Sequence, residues 1–191
     1  GGDGLADPGW IRASGSDALA FLHSQVTNDV EGLAIGQGNA SARVTRQGQL
    51  VELFQVHRLP DRYDHPEVGI LLPRARVSGL LELLDESIFA DDVRLEDESG
   101  AWQWWAVQGA TASELLDGLF PRDDSGWSLL PEHAVVGLGR DIPAEDAFVI
   151  RSNLAGDEGF LVALAAAADA TPDRARSIRS AAEEAGLGEF E

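Results

Sequence analysis

The first residue in this chain that could do chemistry is a carboxylate inside an apolar strand. Glu52 stands in Leu50-Val-Glu-Leu-Phe54, and strand alternation puts it on the face of Leu50 and Phe54. A carboxylate so placed is either edge-exposed or set there to bind a ligand or hold a proton. Two acidic pairs, Asp91–Asp92 and Asp123–Asp124, have the ligand type for a metal. On so acidic a chain, adjacent loop carboxylates read as solvated surface. Trp102, Trp104 and Trp105 could form a stacking platform. Two of them share one side of a strand and Trp105 takes the other, so they read as a core face plus a partly exposed rim. The histidines, His23, His57, His65 and His133, lack ligand spacing, and no metal site is expected. No cysteine is present, which excludes thiolate nucleophiles, disulfides and Cys-ligated zinc or iron–sulfur clusters within this chain. Phosphate-binding loops, dinucleotide fingerprints and nucleophile elbows are absent as well.

The elements that must position these groups can be read from periodicity. Trp10 to Ala13 reads as a strand, and Ser14-Gly-Ser16 offers N-caps for a helix over Asp17 to Gln25. Gly32 to Asn39 is turn-like. Ser41 to Thr45 and Leu50 to Leu59 read as strands joined at Gln47-Gly48. Pro60 to Glu67 reads as a polar loop and Val68 to Leu72 as a strand. Pro73 starts a helix in which Val77, Leu80, Leu81 and Leu84 recur at helical spacing. Val93 to Glu96 closes a β-α-β-β-β-α-β order, close to the ferredoxin-like arrangement. The second half opens alike, with a strand over Gln103 to Gln108, a turn at Gly109 and a helix over Ala112 to Phe120. Ser14 to Leu22 and Gln108 to Leu116 form a weak repeat offset by about 94 residues. Strands over Ala134 to Leu138, Ala147 to Ile150 and Phe160 to Leu164 follow, then a helix over Arg174 to Ala185 ending at Gly186. The expected fold class is therefore α+β. Two related ferredoxin-like subdomains are expected, residues 1–98 and 99–191.

Composition narrows the function classes. The chain has 191 residues, 33 acidic against 14 basic, and a formal charge of −19. All the basic residues are Arg. Such a surface repels phosphate backbones and anionic membranes, so no direct nucleic-acid or membrane partner is expected. Two readings of the acidity stay open: an acidic protein from a genome favouring Arg codons, or a salt-adapted (halophilic) one whose folding needs molar salt. The longest apolar run, Phe160 to Ala168, falls well short of the ~20 residues of a membrane span. Residues 1–8 carry no signal-peptide pattern, and a cytoplasmic location is expected. The chain has no Met even at its first position, so its start reads as trimmed.

Several motifs, in order along most of the chain, resemble one family. Phe21-Leu-His-Ser-Gln-Val-Thr-Asn-Asp-Val30, followed by Leu33 and Gly36-Gln-Gly38, resembles the opening of the folate-binding YgfZ-type proteins. These are a branch of the glycine-cleavage T-protein (GcvT, aminomethyltransferase) family. Thr45-Arg-Gln-Gly48 with Val56-His-Arg-Leu59 resembles the family hairpin, and Val107-Gln-Gly-Ala110 the turn opening its second half. Ile150 to Phe160 resembles its late Arg-x-x-Tyr-Thr-Gly-Glu-x-Gly-Tyr/Phe segment. Ala181 to Leu187 resembles its helix end, and Leu71-Leu-Pro-Arg74 is closer to the YgfZ branch.

The resemblance implies an aminomethyltransferase folate-binding-domain fold, with tetrahydrofolate as cofactor and no metal. T-proteins transfer an aminomethyl unit to tetrahydrofolate and release ammonia. YgfZ-type proteins are tied to maintenance of iron–sulfur enzymes, including tRNA-modifying ones, so iron–sulfur client proteins are the implied partners. Departures from the pattern bear on activity. The T-protein carboxylate pair is Glu52-Leu53 here, the late Tyr is Leu154, its Glu is Asp157, and the acid after Tyr/Phe is Leu161. The position of the YgfZ Cys motif lies beyond the last residue given, so the expectation is either a fragment or a divergent short form with the motif and the C-terminal barrel domain absent. The expectation is a divergent YgfZ-like folate binder, with an aminomethyltransferase and a non-catalytic scaffold that has lost its pocket as the alternatives. No catalytic residue is assigned. Glu52 is expected to contact the folate. Arg151 and Asp157 are expected near the ligand mouth, Arg151 by charge for the glutamate tail.

Overall fold

In a computed structural model the described residues are 7–122, 126–138, 147–153 and 158–166. The chain divides into two compact units, Gly1–Ser99 and Gly100–Glu191. The expected closing helix over Arg174 to Ala185, Gly186 and the Ala181 to Leu187 motif lie outside the described residues, as do Asp123–Asp124, Leu154 and Asp157.

The first unit runs β1 (Pro8–Ser14), α1 (Ala18–Gln25), β2 (Gly38–Val44), β3 (Leu50–Arg62), β4 (His65–Pro73), a 3-10 turn (Arg74–Arg76), α2 (Val77–Asp85) and β5 (Arg94–Asp97). Its five strands form an antiparallel sheet in the order β2-β3-β4-β1-β5. Setting β2 aside leaves β-α-β-β-α-β in the ferredoxin-like order, so this unit is that fold with a hairpin strand added at one edge. One face of the sheet carries the helices. Ile11 and Ala13 of β1, Phe54 and Val56 of β3 and Val68, Ile70 and Leu72 of β4 pack there against Phe21 and Leu22 of α1 and Val77, Leu80 and Leu84 of α2. The α2 residues lie at helical spacing, and burying each such side chain stabilises by about 1.5–3 kcal/mol.

The second unit runs β6 (Trp102–Gln108), α3 (Ala112–Leu119), β7 (Val135–Gly137), β8 (Ala147–Arg151) and β9 (Gly159–Ala165). Its antiparallel sheet has the order β6-β9-β8-β7. Read as strand one, helix, then strands two, three and four, this is the β2-β3-β4-β1 arrangement of the first unit. The correspondence extends to single residues. Ser14 and Gln108 end their strands, and the next residues, Gly15 and Gly109, have φ of +124° and +119°. A side chain is strained at such an angle, so glycine turns the chain into the helix in both units. Leu22 and Leu116, at equivalent places on α1 and α3, are both fully buried.

The structure corrects four expectations. Pro60 to Glu67 is not a loop, because β3 and β4 run on as a hairpin whose two-residue turn is Tyr63-Asp64, at φ 53° and 63°. Pro60 and Pro66 supply no N–H to the ladder, whose register shifts between Leu59 and Arg62, and this interruption mimics a loop in the sequence. Pro73 does not begin a helix. It ends β4 at ψ 134°, and α2 starts only at Val77. The tryptophan rim is not exposed, since Trp102, Trp104 and Trp105 are all buried. Trp102 and Trp104 meet Phe148 edge-on while Trp105 joins the core beneath α3, so both faces of β6 are covered. Leu50 does not share a face with Glu52. A bulge pairs Val44 with Leu50 but Arg43 with Glu52, and the extra residue in β3 turns Leu50 to the side of Leu53.

Candidate functional site

Glu52 lies near the start of β3 on the helix-bearing face, with Phe54 and Val56. Its side chain is 18% exposed and its Oε2 lies 3.6 Å from Nε of Arg76, which leads into α2. Oε1 accepts a hydrogen bond of 3.3 Å from the Leu53 N–H. Leu53 points to the opposite, helix-free face and is well exposed. The two positions of the family's carboxylate pair therefore look out of opposite sides of one strand, as strand geometry demands.

Arg151 ends β8. Its Nη1 donates to Glu158 Oε1 at 3.0 Å, and the carbonyls of Trp127 and Ser128 lie at 3.4 Å. The guanidinium sits 4.9 Å from the centre of the Phe160 ring. Glu158 Oε2 accepts the Ser113 N–H at 3.2 Å, in the first turn of α3, where a carboxylate also meets the helix dipole favourably. Ser113, through its side chain and backbone, and Arg151 hold the Glu158 carboxyl below the usual carboxylate range against the opposing effect of desolvation. Arg151 Nε is buried and has no partner among the described residues. Leu161, where the family pattern has an acid, is fully buried on β9.

The repeat gives Arg151 a counterpart. Arg58 pairs across the ladder with Val68 as Arg151 pairs with Phe160, and those partners pair in turn with Ala13 and Val107. Arg58 is buried and ion-paired to Asp61, and it donates to the carbonyls of Leu59 and Glu67. Each unit thus holds an arginine at one topological position, paired with a nearby acid.

The sequence reading missed a polar group on the helix-free face of the first sheet. Arg12 of β1 pairs with Glu67 and donates to Glu98 Oε1 at 2.8 Å. Glu98 Oε2 is buried with no partner among the described residues. On the same face Trp10 stacks on the fully buried His57, ring centres 5.8 Å apart. The available signal was parity: Arg12, His57 and Glu67 each interrupt an apolar strand, as Glu52 does.

Asp92 is likewise more than solvated surface, because its Oδ2 accepts the Ser16 hydroxyl at 2.9 Å and the Ser16 N–H at 3.2 Å. Those bonds hold its carboxyl below the ordinary value. Among the described residues no three His, Asp or Glu side chains are grouped to hold a metal ion. No helix among them is long and apolar enough to cross a membrane.

No protein-family model matches the chain. Curated relatives do. The chain is 31% identical over 154 residues to an aminomethyltransferase of Exiguobacterium sibiricum, covering 80% of this chain and 39% of that protein. It is 30% identical over 180 residues to an aminomethyltransferase of Thermus thermophilus, covering 94% and 49%. It is 32% identical over 112 residues to the tRNA-modifying protein YgfZ of Edwardsiella ictaluri, covering 59% and 32%. Among solved structures, the glycine cleavage system aminomethyltransferase T of Bartonella henselae superposes with a TM-score of 0.71 at 18% identity, over 92% of this chain and 44% of that one. That likeness shows the fold. The chain spans less than half the length of these relatives.

Proposed function

We propose, from the premise that this chain is a homologue of the N-terminal region of aminomethyltransferases and of a YgfZ protein, that it binds tetrahydrofolate without transferring an aminomethyl group. The finer reading is the YgfZ-like one, in which the folate-loaded protein supports iron–sulfur enzymes or tRNA modification. The observation that carries the loss of transfer chemistry is the Glu52–Leu53 pair. One carboxylate survives, it faces the helices beside Arg76, and its neighbour on the open face is a leucine that can hold no proton. Leu161, buried among apolar neighbours, supports the same reading.

The residues present fit a folate in kind. A pterin needs acceptors for its N–H groups, and Glu98 Oε2 is a buried acceptor without a partner among the described residues. Glu52 is proposed as a polar contact, and Arg151 and Asp157 as contacts near the mouth. Arg151 has Nη1 engaged by Glu158, so its buried Nε is the group it would offer. When bound, tetrahydrofolate supplies the one-carbon acceptor chemistry; the chain's own residues bind and orient it.

The test is calorimetric titration of 5-formyltetrahydrofolate into the chain and its Glu52→Gln variant at high salt, with ammonia release from an aminomethylated carrier assayed beside it. Saturable binding weakened by Glu52→Gln, with no folate-dependent ammonia, is the expected result. Ammonia release would make the chain a transferase. No binding by a folded sample would leave a scaffold without its pocket.

A further inference from the structure

We propose, resting on the folate reading above, that this chain grips the pterin head of its ligand and not the glutamate tail, so that a reduced pterin without the tail is also a ligand. The head, a 2-amino-4-oxo ring, presents N–H donors side by side at N3 and at the 2-amino group. The tail presents carboxylates. The ion group on the first sheet and the charge of the whole chain favour the first and repel the second.

On the helix-free face of the first sheet Arg12 stands between two carboxylates, paired with Glu67 and donating from Nε to Glu98 Oε1. One guanidinium against two carboxylates leaves the group with a negative charge, and Glu98 Oε2 is buried with no partner among the described residues. Such an oxygen is satisfied by a donor and repels an anion, so the group selects a ligand edge made of N–H. The repeat shows that only the first unit is equipped in this way. Across its ladder Arg12, Gly69 and His57 form one row. The counterpart row in the second unit is Ala106, Leu161 and Ile150, with no polar side chain, and Leu161 stands where the family pattern has its acid.

The tail meets the opposite conditions. The chain carries −19, so a ligand carboxylate is repelled as it approaches. Arginine is the side chain that grips a carboxylate best, yet Arg12, Arg58, Arg94 and Arg151 each already face an acid, namely Glu67, Asp61, Glu96 and Glu158. A tail carboxylate seated at Arg151 would stand against Glu158. Arg76 neighbours Glu52, and Arg46, in the β2–β3 turn, is exposed, where an ion pair contributes little. Residues 139–146 hold one arginine against three acids and residues 167–191 three against six, so these stretches are net acidic as well.

Three probes are titrated by calorimetry into the full chain at high salt: 5-formyltetrahydrofolate, 5-formyl-6-methyltetrahydropterin, which is the head alone, and p-aminobenzoylglutamate, which is the tail alone. The first two should bind with Kd values within about threefold of each other, and the third should not bind. Glu98→Gln should raise Kd for folate and pterin alike by about tenfold. Removing the 2-amino group from the pterin should cost about tenfold in the unchanged chain and nothing further in Glu98→Gln, a coupling that a merely structural role of Glu98 would not produce. Should Glu98→Gln fail to fold, the comparison of probes on the unchanged chain carries the test alone. Folate binding with the pterin weaker by about thirtyfold or more, or binding of the tail fragment, overturns the proposal and leaves the folate reading standing. Equal binding of both probes by a folded Glu98→Gln overturns the role of Glu98, whose Oε2 then holds a water. Pterin binding without folate binding overturns the folate reading and keeps recognition of the head. Binding of neither by a folded sample overturns both.

Discussion

Replacing Glu158 by Gln keeps its size and removes its charge, which isolates what the Arg151 pair contributes. In the folded unit the Arg151 side chain is 13% exposed and that of Glu158 is 19% exposed. Removing one member of a fully buried pair costs about 3–5 kcal/mol, because the other charge is left desolvated and unpaired. Here Arg151 retains the Trp127 and Ser128 carbonyls and the Phe160 ring, and a glutamine still accepts a neutral hydrogen bond. The expected loss is therefore smaller, about 1.5–3 kcal/mol. Urea unfolding at constant high potassium chloride measures it by fluorescence, and Trp127, within reach of Arg151, reports the right unit. Exposed charges are screened in strong salt but a partly buried pair is not, so the loss should persist at about 1 M salt, where the Debye length is near 3 Å. A loss under about 0.5 kcal/mol, or one that vanishes in salt, would mean the pair behaves as a solvent-exposed one and that Arg151 is free to serve a ligand. Arg151→Met in a double-mutant cycle separates the pair energy from packing.

Three further outcomes are expected. An ideal Cβ built at Gly69 overlaps the Trp10 indole at Cζ2 and Cη2, and that ring is fully buried against His57. Gly69→Ala should therefore lower stability by at least about 2 kcal/mol in the same unfolding assay. Asp64 sits at φ 63° in the two-residue β3–β4 turn, a conformation suited to glycine, so Asp64→Gly should raise the thermal midpoint, by about 0.5–1 kcal/mol of stability. Burial lowers the His133 pKa from its ordinary 6.5, and the Ser113 and Arg151 contacts lower that of Glu158 from 4.5. Both groups bind more protons when unfolded, so their contributions are complete above those values and are lost as pH falls through the lower folded ones. Stability should then fall in two steps on acidification. The first begins below about 6.5 and disappears in His133→Gln, which a pH series of urea midpoints checks.

Much of the fold was legible because it is written locally. Apolar residues at Val77, Leu80 and Leu84 can bury one helix face in only one way, and alternation in Trp10 to Ala13 and Gln103 to Gln108 defines strands wherever they pair. The repeat was visible for the same reason: a strand that must turn sharply into a helix needs glycine, and both units supply it, at Gly15 and Gly109. The Pro60 to Glu67 hairpin was not legible, since prolines weaken a ladder without abolishing it once flanking residues pair.

The candidate site divides along the same line. By itself the sequence determined the order of elements, the acidity and the lone carboxylate of Glu52 beside Leu53, because these are properties of residue identity and short-range spacing. Only the tertiary structure decided that Glu52 and Leu50 part company, since a bulge is a property of two strands in register and not of either alone. It alone set Arg151 against Glu158 and Arg58 against Asp61, and drew Arg12, Glu67 and Glu98 into one group. Electrostatic partners depend on distances of a few ångströms between side chains that the pairing of separate strands brings together.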